Sequence, residues 1–132
     1  MYTYNAKATK VIDGDLIEVE IDLGFGVWIS HRIKLKGITV PESRSIDKQI
    51  REYGQAAKKR LEELICFKPS FNKSEVFEIE TYRFEKDKFG RTLGIIYADG
   101  VNLNWLLKQE NHAIEYASGP RPDWRKIKGI TE

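Results

Sequence analysis

Apolar and acidic residues alternate along Leu16-Ile17-Glu18-Val19-Glu20-Ile21, the period of a strand with one buried face. Val11-Ile12 precedes it across an Asp13-Gly14-Asp15 turn. After Gly24-Phe25-Gly26 the alternation resumes through Val27-Trp28-Ile29 and Arg32-Ile33-Lys34-Leu35-Lys36-Gly37-Ile38, completing an antiparallel meander. The period then changes. Tyr53, Ala57, Leu61, Leu64 and Ile65 recur at helical spacing with Lys58, Lys59, Glu62 and Glu63 opposite, so a helix is expected from about residue 52 until Pro69 stops it. Val76–Tyr82 and Arg91–Tyr97 read as two further strands, joined through Asp87-Lys88-Phe89-Gly90. Leu103, Leu106 and Leu107 mark a second helix, with Asn104 as its expected N-cap and Asn111 as the left-handed residue that stops it. Residues 119–132 read as an irregular basic tail following a domain over 1–118. Five short strands with a helix after the third fit a small closed barrel of the oligonucleotide-binding type, one candidate among several α+β folds.

The 132 residues are 41% hydrophobic, enough for a folded core and against global disorder. No apolar run approaches the ~20 residues of a membrane helix. The first residues lack the basic start and apolar stretch of a signal peptide, so a cytoplasmic location is expected. A single cysteine, Cys66, excludes an intramolecular disulfide and reads as a buried small hydrophobe. Trp28, Trp105 and Trp124 read as core or packing residues rather than base-stacking platforms, and His31 and His112 as structural or exposed. The net charge is only +2, but its distribution is uneven. Residues 11–22 carry five acids and no Lys or Arg, whereas residues 23–60 carry nine basic side chains against three acids. That arrangement suits a cation beside a phosphate, and equally suits ordinary solvated faces.

Three short constellations bear chemistry. Asp13 and Asp15 flank a glycine, as an oxygen-ligand site for a hard divalent cation requires and as common turns also do. Glu42 sits behind Pro41 in a stiffened loop, where a carboxylate can orient water or simply meet solvent. Arg91 follows a hairpin and offers a guanidinium fork matched to phosphate oxygens.

Taken in order, these segments resemble the staphylococcal (micrococcal) nuclease-like family. Val11-Ile12-Asp13-Gly14-Asp15 looks like its opening motif, with Leu16 where Thr is usual. Arg32-Ile33-Lys34-Leu35-Lys36-Gly37-Ile38-Thr39-Val40-Pro41-Glu42 looks like its central motif, R-x-R-L-x-G-I-D-T-P-E. Glu52-Tyr53-Gly54, Asp87–Arg91 and Leu103–Ala113 are the later landmarks. The resemblance implies a five-stranded oligonucleotide-binding barrel with two or three helices, a monomer, and Ca²⁺-dependent hydrolysis of phosphodiester bonds in DNA or RNA, as in thermonucleases. It implies Asp15 as a metal ligand with Asp13 beside it, Thr39 and Val40 at the remaining metal positions, and Glu42 for the attacking water. Arg91 and Lys34 would balance phosphate charge, with Lys88, Arg32 and Tyr116 along the nucleic acid.

Three departures fall inside this set. Thr39 stands where the family has a metal-binding Asp, Val40 where it has the Thr whose backbone carbonyl meets the metal, and Lys34 where it has an Arg. Fewer carboxylates weaken a Ca²⁺ site, and a lysine lacks the planar two-pronged contact. Weakened or altered metal use is therefore expected. The alternatives are a non-catalytic nucleic-acid-binding module and, further off, a protein-interaction domain that binds neither metal nor nucleic acid.

Overall fold

A computed structural model describes residues 1–82 and 85–131 of the chain. In chain order the elements are β1 (Tyr2–Asp13), β2 (Leu16–Asp22), β3 (Trp28–Leu35), β4 (Ile38–Thr39), α1 (Lys48–Leu64), β5 (Phe77–Thr81), β6 (Thr92–Ala98), β7 (Val101–Asn102), α2 (Leu103–Gln109), β8 (Ile114–Glu115) and α3 (Trp124–Ile127). The meander β1-β2-β3 is antiparallel throughout. β5 joins the free edge of β1, and β6 pairs antiparallel with β5 and parallel with β3. That last pairing closes a five-stranded mixed barrel with three helices, the oligonucleotide-binding barrel expected. No helix among the described residues is long and apolar enough to cross a membrane.

The barrel interior follows the period-2 pattern. Ile17, Val19 and Ile21 point in from β2 and Ile33 and Leu35 from β3, while Glu18 and Glu20 face outward. Gly94 of β6 also faces in, because a Cβ there would lie 3.0 Å from Ile79 and 3.1 Å from Ile33. β1 is much longer than the Val11-Ile12 segment expected. Its inward residues Ala6 and Ala8 are fully buried but small, and a register shift between Ala8 and Lys10 breaks the alternation before Val11.

Helix α1 begins at Lys48, four residues ahead of expectation. Asp47 caps it, its carboxylate accepting from the amides of Gln49 at 3.0 Å and Ile50 at 3.4 Å. The buried face is Gly54, Ala57 and Leu61, whereas Tyr53 is exposed. The helix stops before Pro69: Cys66 takes a left-handed φ of 54° and the Phe67 amide bonds back to the Glu62 carbonyl at 2.8 Å. Cys66 is consequently exposed, not buried as its residue type suggested.

The N-cap of α2 is Asn102, whose side chain accepts from the Trp105 amide at 3.0 Å. Asn104 turns inward instead, accepting from Ile96 N and donating to the Lys36 and Gly94 carbonyls. Asn111, at φ 63°, ends α2 as expected. Trp28 and Trp105 are 42% and 53% exposed, so neither is a core residue. The tail contains the helical turn α3, capped by Asp123; its last residue, 132, lies outside the described residues.

Candidate active site

Two tight approaches to α1 fix the two acidic loops. At Gly14, between Asp13 and Asp15, a Cβ would lie 2.8 Å from the Ala57 Cβ. At Gly54 a Cβ would lie 2.5 Å from the Glu42 carbonyl carbon and 2.7 Å from the Pro41 oxygen. Residues 54 and 57 share one face of the helix. The turn bearing Asp13 and Asp15 and the loop bearing Glu42 therefore rest side by side on the same strip of α1. Ser43 fastens them together: its amide and hydroxyl donate to Asp13 Oδ1 at 3.0 and 2.6 Å.

Asp15 is 6% exposed. Its Oδ2 accepts from Lys34 Nζ at 2.7 Å and from the Val40 amide at 3.3 Å. Lys34 reaches it because the β2–β3 ladder sets Lys34 opposite Leu16. The ammonium also donates to the Ile38 carbonyl at 2.8 Å. Lys34 is thus tied down between a carboxylate and a carbonyl in a half-buried position.

The opposite wall is the 87–91 hairpin. Asp87 Oδ1 accepts from the Phe89 and Arg91 amides, both at 2.9 Å, and Oδ2 accepts from Arg91 Nε at 2.6 Å. Burial pushes the Asp87 carboxyl up, but the amide and guanidinium of Arg91 and the Phe89 amide outweigh it and hold the group below the usual carboxylate range. Using Nε leaves the terminal nitrogens of Arg91 outside that contact. Lys88 and Arg91 both lie over the Phe89 ring, at 5.3 and 5.2 Å from its centre.

A cleft of about 310 Å³ runs between these walls. Asp13, Asp15, Lys34, Thr39, Val40 and Glu42 line one side, and Lys88, Arg91 and Tyr116 the other. Arg32 is not in its lining; its side chain lies over β2, 58% exposed, with Nε 3.0 Å from Glu18 Oε1. Arg121, Pro122 and Trp124, which no motif in the sequence marks as site residues, also line the cleft. Arg121 Nη1 donates to Glu42 Oε1 at 2.8 Å. The available signal was Pro120-Arg121-Pro122, a basic residue between two chain-stiffening prolines.

The donor set does not fit a tightly held divalent cation. Of the cleft carboxylates Asp13, Asp15 and Glu42, Asp15 is the deeply buried one, and an ammonium already balances its charge. Asp13 is committed to Ser43, and Thr39 brings a neutral hydroxyl. No group of three or more His, Cys, Asp or Glu side chains able to hold a metal ion occurs among the described residues.

The staphylococcal nuclease homologue family model matches residues 32–128. The chain belongs to the staphylococcal nuclease family. A protein named micrococcal nuclease from Shigella flexneri is 27% identical over 128 residues, covering 90% of this chain and 62% of that protein. The probable staphylococcal-like nuclease CAN1 of Oryza sativa subsp. japonica is 31% identical over 97 residues, covering 73% of the chain and 25% of that protein. The thermonuclease of Staphylococcus intermedius is 29% identical over 104 residues, covering 79% and 55%. The chain thus spans less than two-thirds of the length of each. In this staphylococcal nuclease family member the matched segment starts at Arg32, so the Asp13–Asp15 turn joins the cleft through its packing on α1, outside that match.

Proposed function

We propose that the chain binds DNA or RNA across this cleft and hydrolyses its phosphodiester bonds. The observation that carries the reading is the convergence of Glu42, Lys34 and Arg91 on one cleft of a nuclease-family barrel. The names of the relatives support the same activity. Glu42 takes a proton from a water as the water oxygen attacks phosphorus. The P–O bond to the leaving sugar oxygen breaks, and that oxygen takes a proton from solvent. Arg91 donates to the non-bridging oxygens, where negative charge grows. Lys34 adds a fixed positive charge behind them, held in place by Asp15. Lys88 and Tyr116 accompany the strand beyond the scissile bond. Because the donor set suits a dication poorly, the Ca²⁺ dependence implied by the family resemblance is weak or altered here.

The test is cleavage of end-labelled single-stranded DNA and RNA by the wild type and Glu42→Gln, with Ca²⁺, Mg²⁺, Mn²⁺ or chelator. Turnover lost in Glu42→Gln supports the reading, and absence of turnover under every condition sinks it. One observation favours a second reading, a binding module without catalysis: both Asp15 and Glu42 are already paired with cations. That reading expects salt-sensitive binding with no cleavage.

A further inference from the structure

Arg121 has no part in the roles assigned above, yet it reaches the same cleft as Arg91 and Lys34 and touches Glu42. We propose that Arg121 is a catalytic residue of this site, exchanging Glu42 for the non-bridging oxygens of the scissile phosphate; the inference rests on the hydrolase reading.

The segment that carries Arg121 is built to present it. On one side, the Tyr116 hydroxyl donates to the Gly119 carbonyl at 2.8 Å. On the other, Arg125 donates to Asp47 Oδ2 at 2.6 Å and Gln49 Oε1 at 3.1 Å, pinning the tail to the start of α1. Between these anchors Pro120 and Pro122 each fix their own φ, and each restricts the residue before it. Much of the backbone freedom that phosphate binding would otherwise remove is therefore already gone.

The neighbouring cations are each partly committed to other partners, and neither touches Glu42. Lys34 is 13% exposed and spends two of its three donors on Asp15 and Ile38. Arg91 has Nε engaged by Asp87. The Arg121–Glu42 pair is 77% and 57% exposed, and ion pairs so open to water are weak. Rotation of the guanidinium from Glu42 to a phosphate replaces one charge-assisted contact with another of better fork geometry. The same rotation releases the Glu42 carboxylate to accept the proton of the attacking water. Arg121 makes and breaks no covalent bond and transfers no proton.

Arg121→Ala and Arg121→Lys are compared with wild type in steady-state cleavage of a single-stranded DNA oligonucleotide. Anisotropy of the same labelled strand, from low to high salt, gives binding. Because the side chain is exposed, both variants are expected to melt like the wild type. The alanine variant should lose about 10- to 100-fold in kcat, and its log-affinity against log-salt slope should shrink by about 0.7. The lysine variant should regain the slope but recover kcat only in part. Unchanged kcat, or faster turnover in Arg121→Ala, overturns the proposal; the latter would make Arg121 a plug on Glu42. If the wild type binds DNA but does not cleave it, the hydrolase reading fails and the catalytic role of Arg121 falls with it. The slope then reports only whether Arg121 touches phosphate. If the wild type neither binds nor cleaves, both are overturned.

Discussion

Replacing Gly54 by alanine separates a glycine that merely sits in a helix from one that positions chemistry. In an unconstrained helix interior the substitution stabilises by about 1 kcal/mol. Here the new methyl would lie 2.5 Å from the carbonyl carbon of Glu42 and 2.7 Å from the Pro41 oxygen. Ordinary carbon contacts begin near ~3.5 Å, so the Pro41–Glu42 backbone must retreat by about 1 Å. Overpacking of that kind costs typically about 1–3 kcal/mol, and backbone yields less readily than the end of a side chain. The upper part of that range outweighs the propensity gain, leaving a net loss of about 1–2 kcal/mol. For a chain of this size that lowers Tm by about 3–8 °C. A ~1 Å displacement of a reacting group costs about 100-fold in rate, so oligonucleotide cleavage should fall more than stability does. Thermal melts by circular dichroism and single-turnover cleavage measure the two effects. A Tm raised by several degrees with unchanged cleavage would refute the claim that α1 sets the position of Glu42.

Ser43→Ala removes the hydroxyl that joins Asp13 to the Glu42 loop; denaturant unfolding should show a loss of about 1–3 kcal/mol, and no loss would dissolve the proposed tie. Asn104→Ala leaves the Ile96 amide and the Lys36 and Gly94 carbonyls without their partner, a cost of about 2–4 kcal/mol by the same measurement. The Arg125 guanidinium holds the Asp47 carboxyl below its ordinary value, against burial and helped by the Ile50 and Gln49 amides. A lowered folded-state pKa means this anchor contributes fully above about pH 4, the unfolded value, and is lost as pH falls through the lower one. A ¹³C NMR titration of Asp47 should therefore show a depressed midpoint that rises in Arg125→Ala; an unmoved midpoint would deny the anchor.

The parts of the fold that were legible in the sequence are those where side-chain size and period agree. β2 and β3 alternate large aliphatics with charges, and both their existence and their pairing could be read. β1 could not be read in full, because Ala6 and Ala8 bury little area and the bulge after Ala8 resets the alternation. The first turn of α1 was hard to read because Lys48, Gln49 and Arg51 are polar; its marks are the Asp47 cap and Ile50, which is in helical phase with Gly54, Ala57 and Leu61. Tyr53 looked like part of the buried face, but a close approach of backbone requires Gly54 there instead. Cys66 illustrates the same limit, since its place at the end of α1 decides its exposure more than its chemistry does.

For the candidate site, motif order brought nine of the ten named residues to one cleft. Arg32 fell outside because its β2 neighbour Glu18 offers a partner on the exposed face of the barrel. The Lys34–Asp15 pair and the tail were not legible. Both depend on which charged groups meet after folding, separated by 19 residues in the first case and 79 in the Arg121–Glu42 contact. Trp124, read as a packing residue, contributes to the cleft wall through the same tail.

The proposed function requires that one cleft, framed by α1, the 87–91 hairpin and the tail, receive nucleic-acid phosphate. Backbone amide chemical-shift mapping during titration with a short single-stranded DNA or RNA tests it most directly. The expected result is that shifts concentrate on Asp15, Lys34, Val40, Glu42, Arg91 and Arg121. Shifts confined to another face, such as the exposed β2–β3 hairpin around Phe25, or no saturable shifts at low salt, would contradict it.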